Sequence, residues 1–318
     1  MANNSKTIGE LRTSGYKVLS VKQEIRKNLI SKIKSGEELF PGIIGFEDSV
    51  VPQLENAILA GQDIILLGER GQAKSRVIRQ LVSFLDEEIP IMEGCELNDD
   101  PFNPICRQCK DIIAKEGDKA KISWLPREMR YAEKLATPDI TVADLIGEID
   151  PIKVAEGRYL SDELTIHYGL IPRTNRGIFC INELPDLSER IQVSLFNLMQ
   201  ERDVQIKGYR IMLPLDVFLV SSANPEDYTN RGRIITPLKD RYGAQIRTHY
   251  PRSTEEEMGI VEQEYTKFDD TADKVTVPDY MKELVAEITA LARRSPDVNQ
   301  RSGVSLRVSI ANYETVVS

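Results

Sequence analysis

The stretch Asp63-Ile64-Ile65-Leu66-Leu67-Gly68-Glu69-Arg70-Gly71-Gln72-Ala73-Lys74-Ser75 decides the fold. Its apolar run reads as a buried strand. The spacing of Val77, Ile78, Leu81, Val82 and Leu85 beyond it reads as a helix. A Gly-x-x-Gly-x-Ala-Lys-Ser turn joins the two. Strand, glycine loop and helix in that order make a phosphate cradle, in which backbone N–H groups and the positive end of the helix receive phosphate oxygens. In such a cradle the Lys74 ammonium reaches the β and γ phosphates and the Ser75 hydroxyl binds Mg²⁺. Ala73 stands where the general pattern has a second glycine, so a methyl group must fit close to the phosphates.

Working outward, the other strand candidates are Ile89–Met92, Ile178–Ile181, Val217–Ser222 and the alternating Gln245–Tyr250. Ile64–Leu67, Ile178–Ile181 and Val217–Ser222 are continuous apolar runs, as expected of parallel strands covered on both faces. Gly177-Ile178-Phe179-Cys180-Ile181-Asn182-Glu183 carries four apolar residues into a polar pair, a Walker B arrangement. It sets side chains at the carboxyl end of a strand, the edge where open α/β sheets bind ligands. Glu183 is placed to orient an attacking water. Asn182 replaces the expected Asp, and an amide brings no negative charge to a metal ion.

The helix before Val217 has a capping-box-like start in Asp186 and Glu189 and an apolar stripe of Leu187, Ile191, Leu195 and Leu198. A hairpin is expected after it, around Lys207-Gly208. Ser221-Ser222-Ala223-Asn224-Pro225-Glu226 then places Asn224 to hold a lytic water, and Leu238-Lys239-Asp240-Arg241-Tyr242-Gly243 leads into the last strand. Read alone, Asn224 is equally a capping residue in a turn and Arg241 a surface ion-pair partner. Their order after the two phosphate motifs gives them weight.

The chain has 318 residues, enough for about two domains and a sizeable core. Lys and Arg total 41 against 50 Asp and Glu, and the net charge of -9 argues against general affinity for nucleic acid or anionic membrane. The polar segment Met1 to Tyr16 has no signal-peptide core, and no run is long enough to span a bilayer, so the expected compartment is the cytoplasm. Four cysteines do not make a disulfide scaffold at this size.

Taken together, these motifs resemble the AAA+ ATPases of the magnesium-chelatase and MoxR group. The Gly-x-x-Gly-x-Ala-Lys loop is itself common in MoxR-like members. Roughly 85 residues separate Ile89–Met92 from Ile178–Ile181, far more than a βα crossover needs, and this group carries a helix-2 insert there. Residues 136–176 are similar to that insert. The resemblance covers about Pro41 to Arg307. It implies an αβα sandwich with a five-stranded parallel sheet over 41–252, a small helical lid over 253–318, and an N-terminal helical extension over 1–40. The chain ends soon after Arg307, and a truncated lid is expected.

Carried onto this sequence, the resemblance implies that Gly68, Glu69, Arg70, Gly71, Gln72, Ala73, Lys74 and Ser75 bind the phosphates and that Ile44 and Gly45 border the adenine. Mg²⁺ would be held by Ser75 with water-mediated help from Asn182. Glu183 would be the catalytic base, Asn224 the sensor-1 residue, Arg241 a finger acting on the neighbouring subunit, and Arg307 the sensor-2 arginine of the lid. The implied protein is a hexameric ring ATPase that remodels a partner with a von Willebrand factor A type domain. Its end use would be metal insertion or chaperone-like maturation. The alternative is a nucleotide-gated scaffold with little turnover, because Asn182 weakens metal binding. An enhancer-binding transcription activator is disfavoured, since the chain has no Gly-Ala-Phe-Thr-Gly-Ala loop and no DNA-binding helix pair.

Cys95 and the Cys106-Arg107-Gln108-Cys109 pair remain outside these motifs. Cys-x-x-Cys makes half a zinc site, Cys95 would be a third ligand, and Asp99, Asp100 or water a fourth. Unliganded loop cysteines are the other reading, with a thioredoxin-like motif far behind both. Trp124 reads as a packing anchor.

Overall fold

The computed structural model describes residues 5–150, 165–201, 204–206, 209–211, 213–224, 232–266, 275–298 and 304–318. Strands are numbered in chain order: β1 Ile64–Leu67, β2 Glu88–Met92, β3 Ile122–Pro126, β4 Tyr131–Leu135, β5 Gly147–Ile149, β6 Ile166–Tyr168, β7 Gly177–Asn182, β8 Val204–Ile206, β9 Tyr209–Ile211, β10 Val217–Ala223 and β11 Ala244–Arg247. A five-stranded sheet of order β11-β1-β10-β7-β4 forms the centre. Every neighbouring pair in it is parallel; Ile64 lies between Ala244 and Val220, and Ile178 between Phe218 and Tyr131.

Side-chain alternation along the strands feeds two apolar layers. On one face Ile64, Leu66, Ile178, Cys180, Phe218 and Val220 meet the helices Val21–Ser35, Val50–Leu59 and Lys74–Gln80 through Ile25, Leu29, Leu54 and Val77. On the other, Ile65, Phe179, Ile181 and Leu219 meet Ile191, Leu195 and Leu198 of the helix Glu189–Glu201. The helix Val21–Ser35 is closed by a capping box of Ser20 and Gln23 and ends at Gly36, whose φ of 71° fits a left-handed C-cap. It lies in the first layer, although it falls within the segment expected as an N-terminal extension.

One strand assignment differs from the expectation. Ile89–Met92 does not join the central sheet; β2 pairs antiparallel with β3, and Ile89, Ile91 and Leu125 make a small core of their own. The edge of the parallel sheet is instead β4, Tyr131-Ala132-Glu133-Lys134-Leu135. An edge strand is covered less completely, so β4 carries a mixed polar sequence with no apolar run to betray it. The long spacing before β7 therefore holds two pieces. Residues 93–130 form a module with the helix Arg107–Glu116 and β3, and residues 136–176 carry the antiparallel pair β5 and β6. Residues 151–164 of the second piece lie outside the described residues.

The helix Glu189–Glu201 starts later than its sequence signal. A 3-10 turn over Leu184–Asp186 comes first, and the Ser188 carbonyl accepts the opening bonds from Ile191 and Gln192. The hairpin is present as β8 and β9, with its Lys207-Gly208 turn outside the described residues. Trp124 is an anchor, its indole N–H donating to the Ser5 carbonyl at 3.0 Å and its ring edge-on to Tyr16. Beyond β11 the helices Thr254–Glu264, Asp279–Arg294 and Arg307–Val317 pack around Val261, Val285 and Tyr313. The buried Glu257 binds them polarly, pairing with Arg293 at 2.6 and 3.0 Å and accepting from the Ser309 hydroxyl. Among the described residues no helix is long and apolar enough to cross a membrane.

Candidate nucleotide-binding site

The glycine loop leaves β1 at the carboxyl edge of the sheet. A Cβ at Gly68 would collide with the Thr248 hydroxyl and the Gln72 amide, so only glycine lets the loop run this close. Gly71 has φ +79° and abuts Ser305 of the helical region. Inside the loop the Gln72 Oε1 accepts from Thr248 at 2.7 Å and from the Glu69 N–H at 3.0 Å. Lys74 is 8 % exposed, and its ammonium donates to the carbonyls of Gly68 at 2.5 Å and Glu69 at 2.7 Å. Ala73 and Ser75 are exposed. The backbone at Ala73 takes φ +50°, a left-handed conformation that disfavours a side chain by about 1–2 kcal/mol.

β7 is buried along its whole length and delivers Asn182 and Glu183 beside the loop. Glu183 has φ +55°, and its N–H donates to the Ser222 hydroxyl at 3.4 Å. Asn224, 3 % exposed, follows β10, whose Ala223 carbonyl accepts from the Gly68 N–H at 3.1 Å. The loop, the acidic turn and Asn224 thus meet across three adjacent strands.

Asn182 has partners that its sequence context does not announce. Its amide NH₂ donates to Glu133 of β4 at 2.5 Å, and its oxygen accepts from the Ser222 hydroxyl at 2.9 Å. Glu133 is also gripped by Arg79 at 2.9 and 3.1 Å and by the Tyr131 hydroxyl at 2.9 Å. Burial works to raise the Glu133 carboxyl, but the Arg79 and Tyr131 hydrogen bonds outweigh it and hold the group below the usual carboxylate range. A carboxylate therefore stands next to position 182 even though the residue itself is an amide. Burial pushes the neighbouring Cys180 thiol up to about 12, so it is a neutral core group.

An apolar cleft opens beside the loop between Ile43, Ile44, Gly45 and Phe46 on one side and Ile260, Gln263 and Leu306 of the helical region on the other. Gln263 donates to the Gly42 carbonyl at 3.0 Å, and Arg76 pairs with Glu264, so helices beyond residue 253 roof the cleft. Arg307 opens the last helix two residues after the Ser305 that touches Gly71, and it is exposed. Arg241 is brought elsewhere. Its guanidinium lies 5.3 Å over the Phe196 ring and donates to Gln200 at 2.6 Å, on the outer helix that follows Glu183. The last residues of the Asn224 motif, Pro225 and Glu226, lie outside the described residues. The three loop cysteines come together in the 93–130 module. Sequence reasoning missed Thr248 and Glu133, whose roles depend on strand pairing.

A family model described as the sigma-54 interaction domain matches residues 155–238, the stretch from the insert past the acidic turn. Magnesium-chelatase subunit ChlI of Nostoc sp. is 28% identical over 262 residues, 80% of this chain and 64% of that protein. The ChlI homolog of Methanocaldococcus jannaschii is 30% identical over 218 residues, 65% of this chain and 53% of that protein. In the complex between subunits BchI and BchD of magnesium chelatase, known from single-particle cryo-EM, one chain superposes with a TM-score of 0.51 at 22% identity, over 80% of this chain and 74% of that one. The chain is similar to magnesium-chelatase subunits, and it shares the fold of the BchI–BchD chain. The expected resemblance and the αβα fold with a helical C-terminal region are both borne out. The chain spans between about half and two thirds of the length of these curated relatives, at 53% and 64%.

Proposed function

We propose that this AAA+ chain binds and hydrolyses ATP as a subunit of a ring and uses turnover to remodel a partner protein. The observation that carries this reading is the meeting of the Gly68–Ser75 loop, Glu183 and Asn224 at one sheet edge, with Arg241 exposed away from it against Phe196 and Gln200. The loop fits a polyphosphate: its close backbone passage at Gly68 and Gly71 admits no side chains, and Lys74 sits buried at its mouth. Loop N–H groups and Lys74 would hold the β and γ phosphates, and the cleft at Ile44 and Gly45 would take the base. The Ser75 hydroxyl and the Asn182 side chain would hold Mg²⁺, which supplies charge neutralisation at the phosphates. Glu183 would orient and deprotonate the lytic water, Asn224 would hold that water in line, and Arg307 would reach the γ-phosphate from the lid.

The domain reading that goes with this function is a nucleotide domain over 41–252 under a lid over 253–318, in a cytoplasmic hexamer. The partner would carry a von Willebrand factor A type domain, with MoxR-like chaperone action or metal insertion as the end use. The rival reading, a nucleotide-gated scaffold with little turnover, draws on one observation: both polar ends of the Asn182 amide are already engaged, by Glu133 and Ser222.

Steady-state hydrolysis at saturating Mg²⁺ separates the two readings, and subunit mixing tests the ring. Arg241→Ala is expected to bind ATP normally and to lose on the order of 10³-fold in turnover, because an arginine supplied in trans stabilises transition-state charge. Mixed with Glu183→Gln subunits it should regain activity, since some interfaces then join an intact base to an intact finger. A mixture that forms mixed rings and stays as inactive as either parent overturns the trans role.

A further inference from the structure

The geometry points to a tetrahedral metal site of the zinc class, built from Cys95, Asp99, Cys106 and Cys109, that locks the 93–130 module against the start of β7. One ligand atom from each of the four lies within 4.8 Å of all the others. Cys95 Sγ and Cys106 Sγ are 4.0 Å apart. Four ligands about 2.3 Å from a central zinc ion stand about 3.8 Å from one another, so this separation suits two thiolates sharing a metal. It is about twice the length of an S–S bond.

Three of the four members of the cluster are prepared for that charge. Cys106 caps the helix Arg107–Glu116, and its sulfur accepts the Cys109 N–H at 3.3 Å. The Cys95 sulfur accepts the Leu97 N–H at 3.4 Å. Backbone donors of this kind stabilise thiolates, the form that binds metal. Asp99 is fully buried, and its two oxygens are treated differently. Oδ2 accepts the N–H groups of Ile105 at 3.1 Å and Cys106 at 3.0 Å. Oδ1 is buried with no hydrogen-bond partner among the described residues, a costly state for a carboxylate oxygen unless a cation faces it. Asp100, the other carboxylate at hand in sequence, spends its Oδ1 on the Phe102 N–H at 2.9 Å.

Three sulfurs and one oxygen in a closed tetrahedral set select zinc over the oxygen-loving Mg²⁺ and Ca²⁺. Four protein ligands leave no open position, so the role is structural. What the site would hold is also plain. Asn175 donates to the Leu97 carbonyl at 2.8 Å, Asn98 to the Arg173 carbonyl at 2.8 Å, and Arg176 to the Pro90 carbonyl at 2.7 Å. The cysteine loop is thereby stitched to residues 173–176, which lead directly into the strand bearing Asn182 and Glu183. This site is separate from the nucleotide cleft and does not depend on how the cleft works.

Elemental analysis of the protein purified without chelators should find one zinc per chain, released by a thiol-specific mercurial. Wild-type chain stripped by a chelator should melt at a lower temperature than the loaded form. On titration with Co²⁺ it should give the visible absorption of a tetrahedral thiolate complex, a readout that needs no variant. Asp99→Asn keeps the side-chain volume and should weaken Co²⁺ binding on the order of 10- to 100-fold, the scale of losing even an outer-shell partner. Cys109→Ser should abolish the thiolate spectrum. Protein that carries no metal and gives no tetrahedral Co²⁺ spectrum overturns the site. So does a mass two hydrogens short of the free-thiol value, which would mark a Cys95–Cys106 disulfide instead.

Discussion

The two edges of the central sheet treat their polar residues in opposite ways. At the amino edge the prominent charges are buried or half-buried and tied to partners. Arg130 grips Glu24 with two bonds of 2.7 Å and donates to the Arg176 carbonyl at 2.9 and 2.7 Å. Asp63 accepts from Lys22 at 2.8 Å and from the Leu219 N–H at 3.0 Å, and Asp216 accepts the Val21 N–H at 2.8 Å. At the carboxyl edge the backbone is strained at Ala73 and Glu183, Ser75 is exposed, and Lys74 rests on loop carbonyls. The amino edge even holds a roomier cavity, about 450 Å³ beside Lys22, Asp63, Arg176 and Asp216, but its charges are engaged: Lys22 with Asp63, Arg176 with the Pro90 carbonyl and Asp216 with the Val21 N–H. Polar groups that satisfy each other stabilise a fold, whereas strained and accessible ones are available to a ligand. That contrast, more than cavity size, marks where chemistry would occur.

Substitutions at each edge should therefore fail in different assays. The largest effect on stability is expected at the amino edge. Arg130→Ala strands the buried Glu24 carboxylate and should cost about 3–5 kcal/mol in urea denaturation. A loss under 1 kcal/mol would mean that the edges do not differ as described. Next in size is Asn182→Asp. The new carboxylate would face Glu133 across the distance of a lost hydrogen bond, so stability without Mg²⁺ should fall by roughly 1–3 kcal/mol. Added Mg²⁺ should restore it, and identical unfolding curves with and without the ion would remove position 182 from the metal shell. The smallest effect belongs to Ala73→Gly. Relief of the left-handed backbone gains about 1–2 kcal/mol, and the greater freedom of glycine in the unfolded chain offsets part of it. The net rise should be below about 1 kcal/mol, and a melting temperature that falls would show that the φ of Ala73 carries no strain.

What could be read in the sequence follows from burial. β1, β7 and β10 lie inside the sheet, so Ile64–Leu67, Ile178–Ile181 and Val217–Ser222 had to be apolar runs and were legible. β4 lies at the edge and spends Glu133 and Lys134 on partly exposed positions, so no apolar run marks it in the sequence. Ile89 and Ile91 misled because they serve a satellite core with Leu125 and not the sheet. The meeting of the Gly68–Ser75 loop, Glu183 and Asn224 was legible from order and spacing, since each is a local motif at a strand end. Glu133 was not, because its contact with Asn182 arises only when strand pairing sets Glu133 against Cys180. Asp99 was one of two neighbouring carboxylates until burial separated them.

The central claim is that the carboxyl edge, and no other part of the molecule, takes the nucleotide. Calorimetric titration of ATP with Mg²⁺ into the wild-type chain and into Lys74→Ala tests it most directly, with circular dichroism confirming that both are folded. The account predicts saturable binding by the wild type and no measurable heat from the variant. A folded Lys74→Ala chain that binds ATP as tightly as the wild type would contradict it.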